Sequence, residues 1–592
     1  MRRLRVPAIF VLAVALQAAA IDPNRYLAHV KYLASPELKG RGTGAPGLEK
    51  AAGYIARRLR SFGLKPEFQP FPVTVNARLG AKNGLETVEN GHKSRLKPGQ
   101  DFVPFNFSSS GTVSGGLVFA GYGITAPEYH YDDYAGIDVK GKIVVVLRHE
   151  PQEFDEKSVF AGKILTEHAQ FWSKAVNAKR HGAAAVILVN DGAHHAGEPA
   201  ELEKFGRAVG PVDAGILFLQ VKPAAADRWF APKTLERLTE SIDKDLKPES
   251  FALPESVRIS ATVDVERDLK TVRNIYAYLA GQTDEYVIIG AHYDHLGLGE
   301  QFSMAPSEAG KPHPGADDNA SGTAGLLELA RWFASQPKQR RGVLFLAFAG
   351  EELGLLGSRY YVDHPELPLA KAVAMINLDM IGRLRDGKVY IGGEKTGSNF
   401  KELLDADLPK HHLNPEVSSI SEAGLSDHQS FTTKQVPVLF FFSGLHADYH
   451  KPSDTWDKID APHAAVLLDA VADVAATLAG EAGRPQFVKV AEPPPGPVGG
   501  AGGGYEAWFG GVPDFGEVPK GVKFADVTAG SPAAAAGLKA GDILVEFDGK
   551  PIGNLYDLTY ALRGSKPGDR VAVKVLRGTE TVPAEVVLGQ RK

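Results

Sequence analysis

Short, almost unbroken apolar runs organise the second half of the chain. EYVIIG, GVLFLAFAG, KAVAMINLD and VPVLFFFSG each span six to nine residues rich in β-branched and aromatic types, as expected of strands buried on both faces. Between them the period changes to that of a helix. Thr323, Leu327, Ala330 and Ala334 fall near one face of a helix predicted over Ala320–Ser335, and Ala461–Gly480 is a long Ala/Leu/Val helix. Near the start, Ala51, Ile55, Leu59 and Phe62 have helical spacing before a Gly63 and Pro66 stop. Strands alternating with helices predict an α/β fold: a mainly parallel mixed sheet covered by helices on both faces.

The texture differs in two places. From about Thr112 to Pro254 the runs GLVFAGYGI, KGKIVVVLR and HGAAAVILVND lie between Gly-rich turns, which predicts a β-rich insert over 110–254. Pro493–Gly504 contains only Pro, Gly, Val and Ala and cannot build a core. The predicted organisation is therefore a leader at 1–20, a main domain formed by 21–109 and 255–485, the insert, a linker at 486–504, and a small β/α domain at 505–592.

Composition narrows the chemistry. A net charge of -5 gives no general attraction to nucleic acid or anionic lipid. With no cysteine, thiolate catalysis and Cys-ligated zinc are excluded, leaving His, Asp and Glu as metal ligands. Arg2, Arg3 and Arg5, the apolar stretch Val6–Leu16 and Ala18-Ala19-Ala20 have the order of a secretory signal peptide cleaved after Ala20. The apolar stretch is short for a bilayer span. The expectation is export to a periplasm or extracellular space, without stable membrane insertion.

Polar residues follow the apolar strands in a consistent way. His292, Asp294 and His295 follow the first run, Glu351 and Glu352 the second, Asp379 the third, and Tyr449 and His450 the fourth. GADDNASG, Gly315–Gly322, lies between the first two. Ligand sites of open α/β sheets lie at the carboxyl ends of strands. Carboxylates converging there need cations, and His with Asp/Glu but no Cys suits zinc. His446 shares an i, i+4 spacing with His450, but Pro452 argues against a helix, so it reads as an ordinary loop residue. His295 and His313 receive no role.

AHYDH, GADDNASG, AGEELGLLGS, NLDMIGR and YHKPSDT together resemble the ordered motifs of metallopeptidase family 28, the co-catalytic dizinc exopeptidases. The resemblance implies two Zn²⁺ per chain. Asp317 would bridge them, His292 and Asp379 would complete one site, and Glu352 and His450 the other. It implies Glu351 as general base, Asp294 as the residue orienting His292, Tyr449 as an oxyanion donor, and a cis Asp317–Asp318 peptide. Two dications, three carboxylates and a hydroxide then sum to neutrality. GLSDHQSF, Gly424–Phe431, resembles the family's substrate-pocket segment. The implied function is removal of N-terminal residues from peptides. A carboxypeptidase of the same clan is the first alternative and would need Arg383 or Arg385 for a substrate carboxylate. A glutaminyl-cyclase-like enzyme and a non-catalytic receptor are more distant alternatives, since the full ligand set is present.

The insert resembles a protease-associated domain through FAGYGI, DDYAGIDVKGKIVVVLR and AKRHGAAAVILVND. AGSPAAAAGLKAGDILVEFDGKPI resembles a PDZ domain. That likeness implies a carboxylate-binding loop at Gly510-Gly511-Val512, a groove lined by Leu555, Leu558 and Leu562, and a C-terminal peptide as partner, bound by strand addition.

Overall fold

The computed structural model describes residues 21–155, 157–160, 166–190, 202–203, 205, 213–305, 308–384, 387–417, 426–490, 507–513, 520–528, 530–552, 558, 561–562 and 565–590. The expected leader, most of the linker, Arg385 and Leu555 lie outside them.

The main domain is built on one eight-stranded sheet. Its strands are β1 (Pro66–Leu79), β2 (Val265–Leu279), β3 (Tyr286–His292), β4 (Gly342–Phe348), β5 (Ala372–Leu378), β6 (Lys388–Gly392), β7 (Asn414–Val417) and β8 (Val438–Phe442). Their spatial order is β1-β2-β4-β3-β5-β8-β6-β7. The central strands β4, β3, β5 and β8 are parallel, and antiparallel β1 and β2 flank them. Every residue of β3, β4 and β5 is buried, as their unbroken apolar character requires.

Alternate side chains of these strands serve two cores. Val287, Ile289, Val343 and Phe345 pack under helices α1 (Pro23–Leu33), α2 (Pro46–Ser61), α3 (Gly322–Ala334) and α4 (Ala461–Gly480). Ile288, Leu344 and Leu346 face Tyr361, Val362 and Phe431, which come from the short helices Leu356–Asp363 and His428–Thr432. The sheet is thus covered on both faces, as the pattern predicts. Helix α4 is long and apolar enough to cross a bilayer, but Leu467, Leu468, Val471, Val474 and Leu478 are spent in the core.

β1 and β2 pair from Pro66↔Ala277 to Leu79↔Val265. Everything between Leu79 and Val265 must therefore close on itself. It does so as a nine-stranded sheet with its own core of Phe102, Phe119, Val145, Ile187, Leu219 and Ile259. This sheet recruits Gly84–Glu89, His92–Leu96 and Val257–Val263, so the insert is wider than the span 110–254 read from the sequence. A separate core around Phe524, Leu544, Phe547, Val573 and Val575 belongs to the C-terminal sheet. Leu558 and Leu562 are buried within that core.

Candidate metal centre

Parallel strands place their carboxyl ends along one edge, and the chemistry-bearing residues follow from that. β3 ends in His292, with Asp294 and His295 just beyond. Glu351 and Glu352 follow β4, Asp379 follows β5, and the loop after β8 carries His446, Tyr449 and His450. The turn Ala316–Ser321 lies between β3 and α3 and leads directly into the helix.

One donor group comprises His292, Asp318 and Asp379, and a second comprises His295, Asp318 and Glu352. His292 Nε2 lies 3.4 Å from Asp318 Oδ1 and 3.3 Å from Asp379 Oδ1. His450 Nε2 lies 3.2 Å from Asp318 Oδ2 and 3.2 Å from Glu352 Oε2. The two oxygens of Asp318 therefore face the two histidines.

This differs from the implied bridging role of Asp317. Its Oδ1 accepts a hydrogen bond from Gly382 N at 2.7 Å, and its Oδ2 faces His446 Nε2 at 3.2 Å, away from His292. The reason is backbone direction. Asp318 leaves helical geometry (φ -98°, ψ 98°), and adjacent side chains are sent to opposite sides of the turn. The cis bond is Asp318–Asn319, one residue later than implied. Asp454 fixes the arrangement by accepting from Asp317 N at 2.9 Å and Asp318 N at 3.1 Å.

Several supporting contacts were invisible in the sequence. Arg41 is fully buried and donates to Tyr293 O, Pro314 O and Gly315 O at 2.9, 2.7 and 3.0 Å, tying the end of β3 to the start of the aspartate turn. Burial pulls its guanidinium down to about 10, against the opposing pull of Asp318 and Asp294. His446 is buried against Asp317 rather than being an ordinary loop residue. His295, given no role above, sets Nδ1 2.6 Å from Glu352 Oε1. His313 instead meets Ser303 Oγ at 2.8 Å. No local spacing signals the contacts of Arg41, His446 and His295, because each joins segments distant in sequence.

The histidines are oriented from behind. His450 Nδ1 is 2.9 Å from Phe302 O, so it carries the proton and leaves Nε2 free to donate its lone pair. His292 Nδ1 faces Asp294 O at 3.3 Å and Asp294 Oδ1 at 3.7 Å. Asp294 also accepts from Thr43 Oγ1 at 2.8 Å and from Glu351 N at 3.1 Å, linking His292 to the position of Glu351. Ser426, in the expected pocket segment, donates to Asp379 Oδ2 at 2.7 Å. Tyr449 stacks on His450 with ring centroids 3.9 Å apart.

The electrostatics report a site that wants cations. Burial drives Glu352 upward, but His450 and His295 overrule it and hold its carboxyl well below the usual range. Burial tends to discharge His292 and His450, yet Asp379 and Glu352 respectively pull both well above the ordinary imidazole value. A metal bound here would compete with protons for these imidazole and carboxylate lone pairs. Burial pushes Glu351 well up; His292 opposes this, and Glu352 and Asp427 add to it. Burial, then Asp318, raises Tyr449, leaving its hydroxyl protonated.

The residues fit zinc. Two imidazole nitrogens and three carboxylates converge without Cys. Asp379 Oδ1 is buried without a hydrogen bond. Among the described residues, no Lys or Arg ion pair reaches Asp318, Glu352 or Asp379.

Buried His, Asp and Glu donors thus converge at the carboxyl edge of an α/β sheet, an arrangement suited to a metal-dependent hydrolase. Comparison with known proteins agrees: residues 274–475 match peptidase family M28, residues 113–228 the PA domain and residues 509–588 the PDZ domain. The peptidase family M28 match thus covers the segment that carries the donor residues, between the PA and PDZ matches. The chain is 29% identical to aminopeptidase YwaD of Bacillus subtilis over 57% of its length, and covers 63% of that relative. It is 24% identical to the probable lipoprotein aminopeptidase LpqL of Mycobacterium tuberculosis, over 82% of this chain and 90% of that one. Among solved structures, an aminopeptidase from Aneurinibacillus sp. strain AM-1 is 23% identical with a TM-score of 0.44, covering 80% of this chain and 97% of that one.

Proposed function

We propose that the chain is an exported zinc-dependent aminopeptidase with two metal positions. The observation that carries this reading is the placement of Asp318 between His292 and His450, with Asp379 and Glu352 outside them. His292, Asp379 and one oxygen of Asp318 would hold one zinc, and His450, Glu352 and the other oxygen the second. Bound there, the two ions supply Lewis acidity that polarises a peptide carbonyl and makes water acidic.

The chain's own residues do the rest. Glu351 is held by its backbone to Asp294, and its raised proton affinity suits a group that takes a proton from the attacking water and delivers it to the leaving amine. Tyr449 retains its hydroxyl proton and is the candidate donor to the oxyanion. The carboxypeptidase alternative is weakened because Arg383 is committed to Asp448 and Asp454, both at 2.6 Å. A tied guanidinium is a poor anchor for a substrate carboxylate.

The substrate would be a peptide with a free N-terminus. The PDZ domain would take a C-terminal peptide at Gly510-Gly511-Val512. A Cβ on Gly511 would come within 2.6 Å of the Phe524 ring, so substitution there should distort this loop.

The test uses one peptide, unblocked and N-acetylated, incubated with zinc-loaded protein and followed by mass spectrometry. Stepwise loss of N-terminal residues from the unblocked form alone is expected, and trimming from the other end would overturn the reading. Glu351→Gln should keep its zinc while kcat falls about 10²–10⁴-fold.

A further inference from the structure

Hydrolysis after Ala20 would make Ile21 the first residue of the mature chain. The structure gives this residue a specific seat. Its side chain is 3% exposed and belongs to the main core. Its backbone nitrogen lies 2.9 Å from Asp469 Oδ1 on α4. Asp469 is half-buried, and burial pushes its carboxyl up, with the Ile21 N–H and His411 opposing and Asp473 reinforcing. Among the described residues, no Lys or Arg pairs with Asp469.

We propose that removal of the leader turns the neutral Ile21 amide into an ammonium that ion-pairs with Asp469, so that processing completes the fold. A signal peptidase adds water across the Ala20–Ile21 amide, leaving a carboxylate on Ala20 and an amine on Ile21. An α-amino group has an ordinary pKa of about 7.7–8.0 and is charged at neutral pH. Because Ile21 is buried once docked, cleavage precedes docking. The chain end then inserts, with the apolar side chain filling the core and the new charge meeting the carboxylate.

The position gives the clasp a consequence. Helix α1 begins at Pro23 and packs against α4, α3 and the turn that carries Asp318. Tyr26 of α1 is fully buried, and Asp317 is among the charges acting on its hydroxyl. Anchoring Ile21 therefore anchors the back wall of the metal centre. The other charges near the pair are Asp473 on α4, held by His411 at 2.9 Å, and Asp22 beside Ile21, which faces Arg25 at 3.6 Å.

The inference rests on the exported reading, so its test separates the two. The full mature chain is released from an N-terminal fusion that leaves Ile21 first, and is compared with the same chain retaining Ala18-Ala19-Ala20. Asp469→Asn is made in both. The free-amine form should melt about 2 °C higher at pH 7, and Asp469→Asn should erase that difference. Such a pair would hold the proton on the amine to a higher pH than in the unfolded chain. The advantage is therefore full below the amine's unfolded pKa and is lost as pH rises through the folded one. Equal melting of the two forms at pH 7, or an equal cost of Asp469→Asn in both, overturns the ion pair. Should the Asn variant not fold, acylation of the Ile21 amine decides: at least tenfold slower reaction folded than unfolded supports the pair, and equal rates overturn it. N-terminal sequencing of exported protein checks processing separately, and a start elsewhere overturns the natural role of the clasp.

Discussion

Asp317 and Asp318 have the same side chain and adjacent positions, yet different partners. Asp318 presents one oxygen to His292 and the other to His450, whereas Asp317 is held by Gly382 N and faces His446. Zinc content per chain separates them. Asp318→Asn should lose most bound zinc at both positions, because it removes a carboxylate shared by two sites. Asp317→Asn should retain both ions, with affinity reduced about tenfold through the position of its neighbour. The reverse result would return the bridging role to Asp317. The sequence supplied both aspartates and, at or just beyond the strand ends, His292, Glu352, Asp379 and His450. It did not reveal which aspartate turns inward, since that depends on the non-helical backbone at Asp318 and Asn319.

At the scale of elements, α1 is held to α3 by charge as well as by packing. Glu328 accepts from Arg25 Nε at 2.8 Å, faces His29 Nε2 at 3.3 Å and meets Arg331 Nε at 3.2 Å. Burial pushes Glu328 up, but His29 and Arg25 prevail and bring it down to about 2. Its folded value is depressed, so the stability it contributes is present above the unfolded value, about 4.3, and is lost as pH falls through the folded one. The docking of α1 should therefore loosen between about pH 4 and 2. Glu328→Gln should lower stability by about 2 kcal/mol at pH 7 and flatten that acid dependence, as measured by denaturant unfolding at each pH. An unchanged acid limb in the variant would show that other carboxylates govern it. Periodicity alone predicted α1's neighbours α3 and α4 as helices. The pairing across Arg25 and Glu328 joins residues 303 apart, which no local pattern encodes.

For the molecule as a whole, each of the three family matches has apolar cores of its own. The C-terminal core draws only on residues from Ala507 onward. A chain ending near residue 490 should therefore fold and process a short peptide within about twofold of the full chain, because no proposed ligand or proton carrier is removed. Loss of zinc binding in that truncation would show that the PDZ domain supports the metal centre. The insert is different. It interrupts the sheet between paired β1 and β2, so its excision leaves strand ends that must be rejoined.

The sequence determined this protein's element types, its α/β class and the inventory of groups at the strand ends. Those follow from local period and from the preference of apolar runs for burial on both faces. It also indicated the accessory domains, through FAGYGI, DDYAGIDVKGKIVVVLR and AKRHGAAAVILVND in the insert and AGSPAAAAGLKAGDILVEFDGKPI near the C-terminal end. Tertiary structure alone decided the extent of the insert, the inward turn of Asp318, the burial of Arg41 and His446, and the meeting of Ile21 with Asp469. Each depends on where distant segments come to rest against one another. That is settled by packing and by the need to pair every buried charge, neither of which is written in a local stretch of chain.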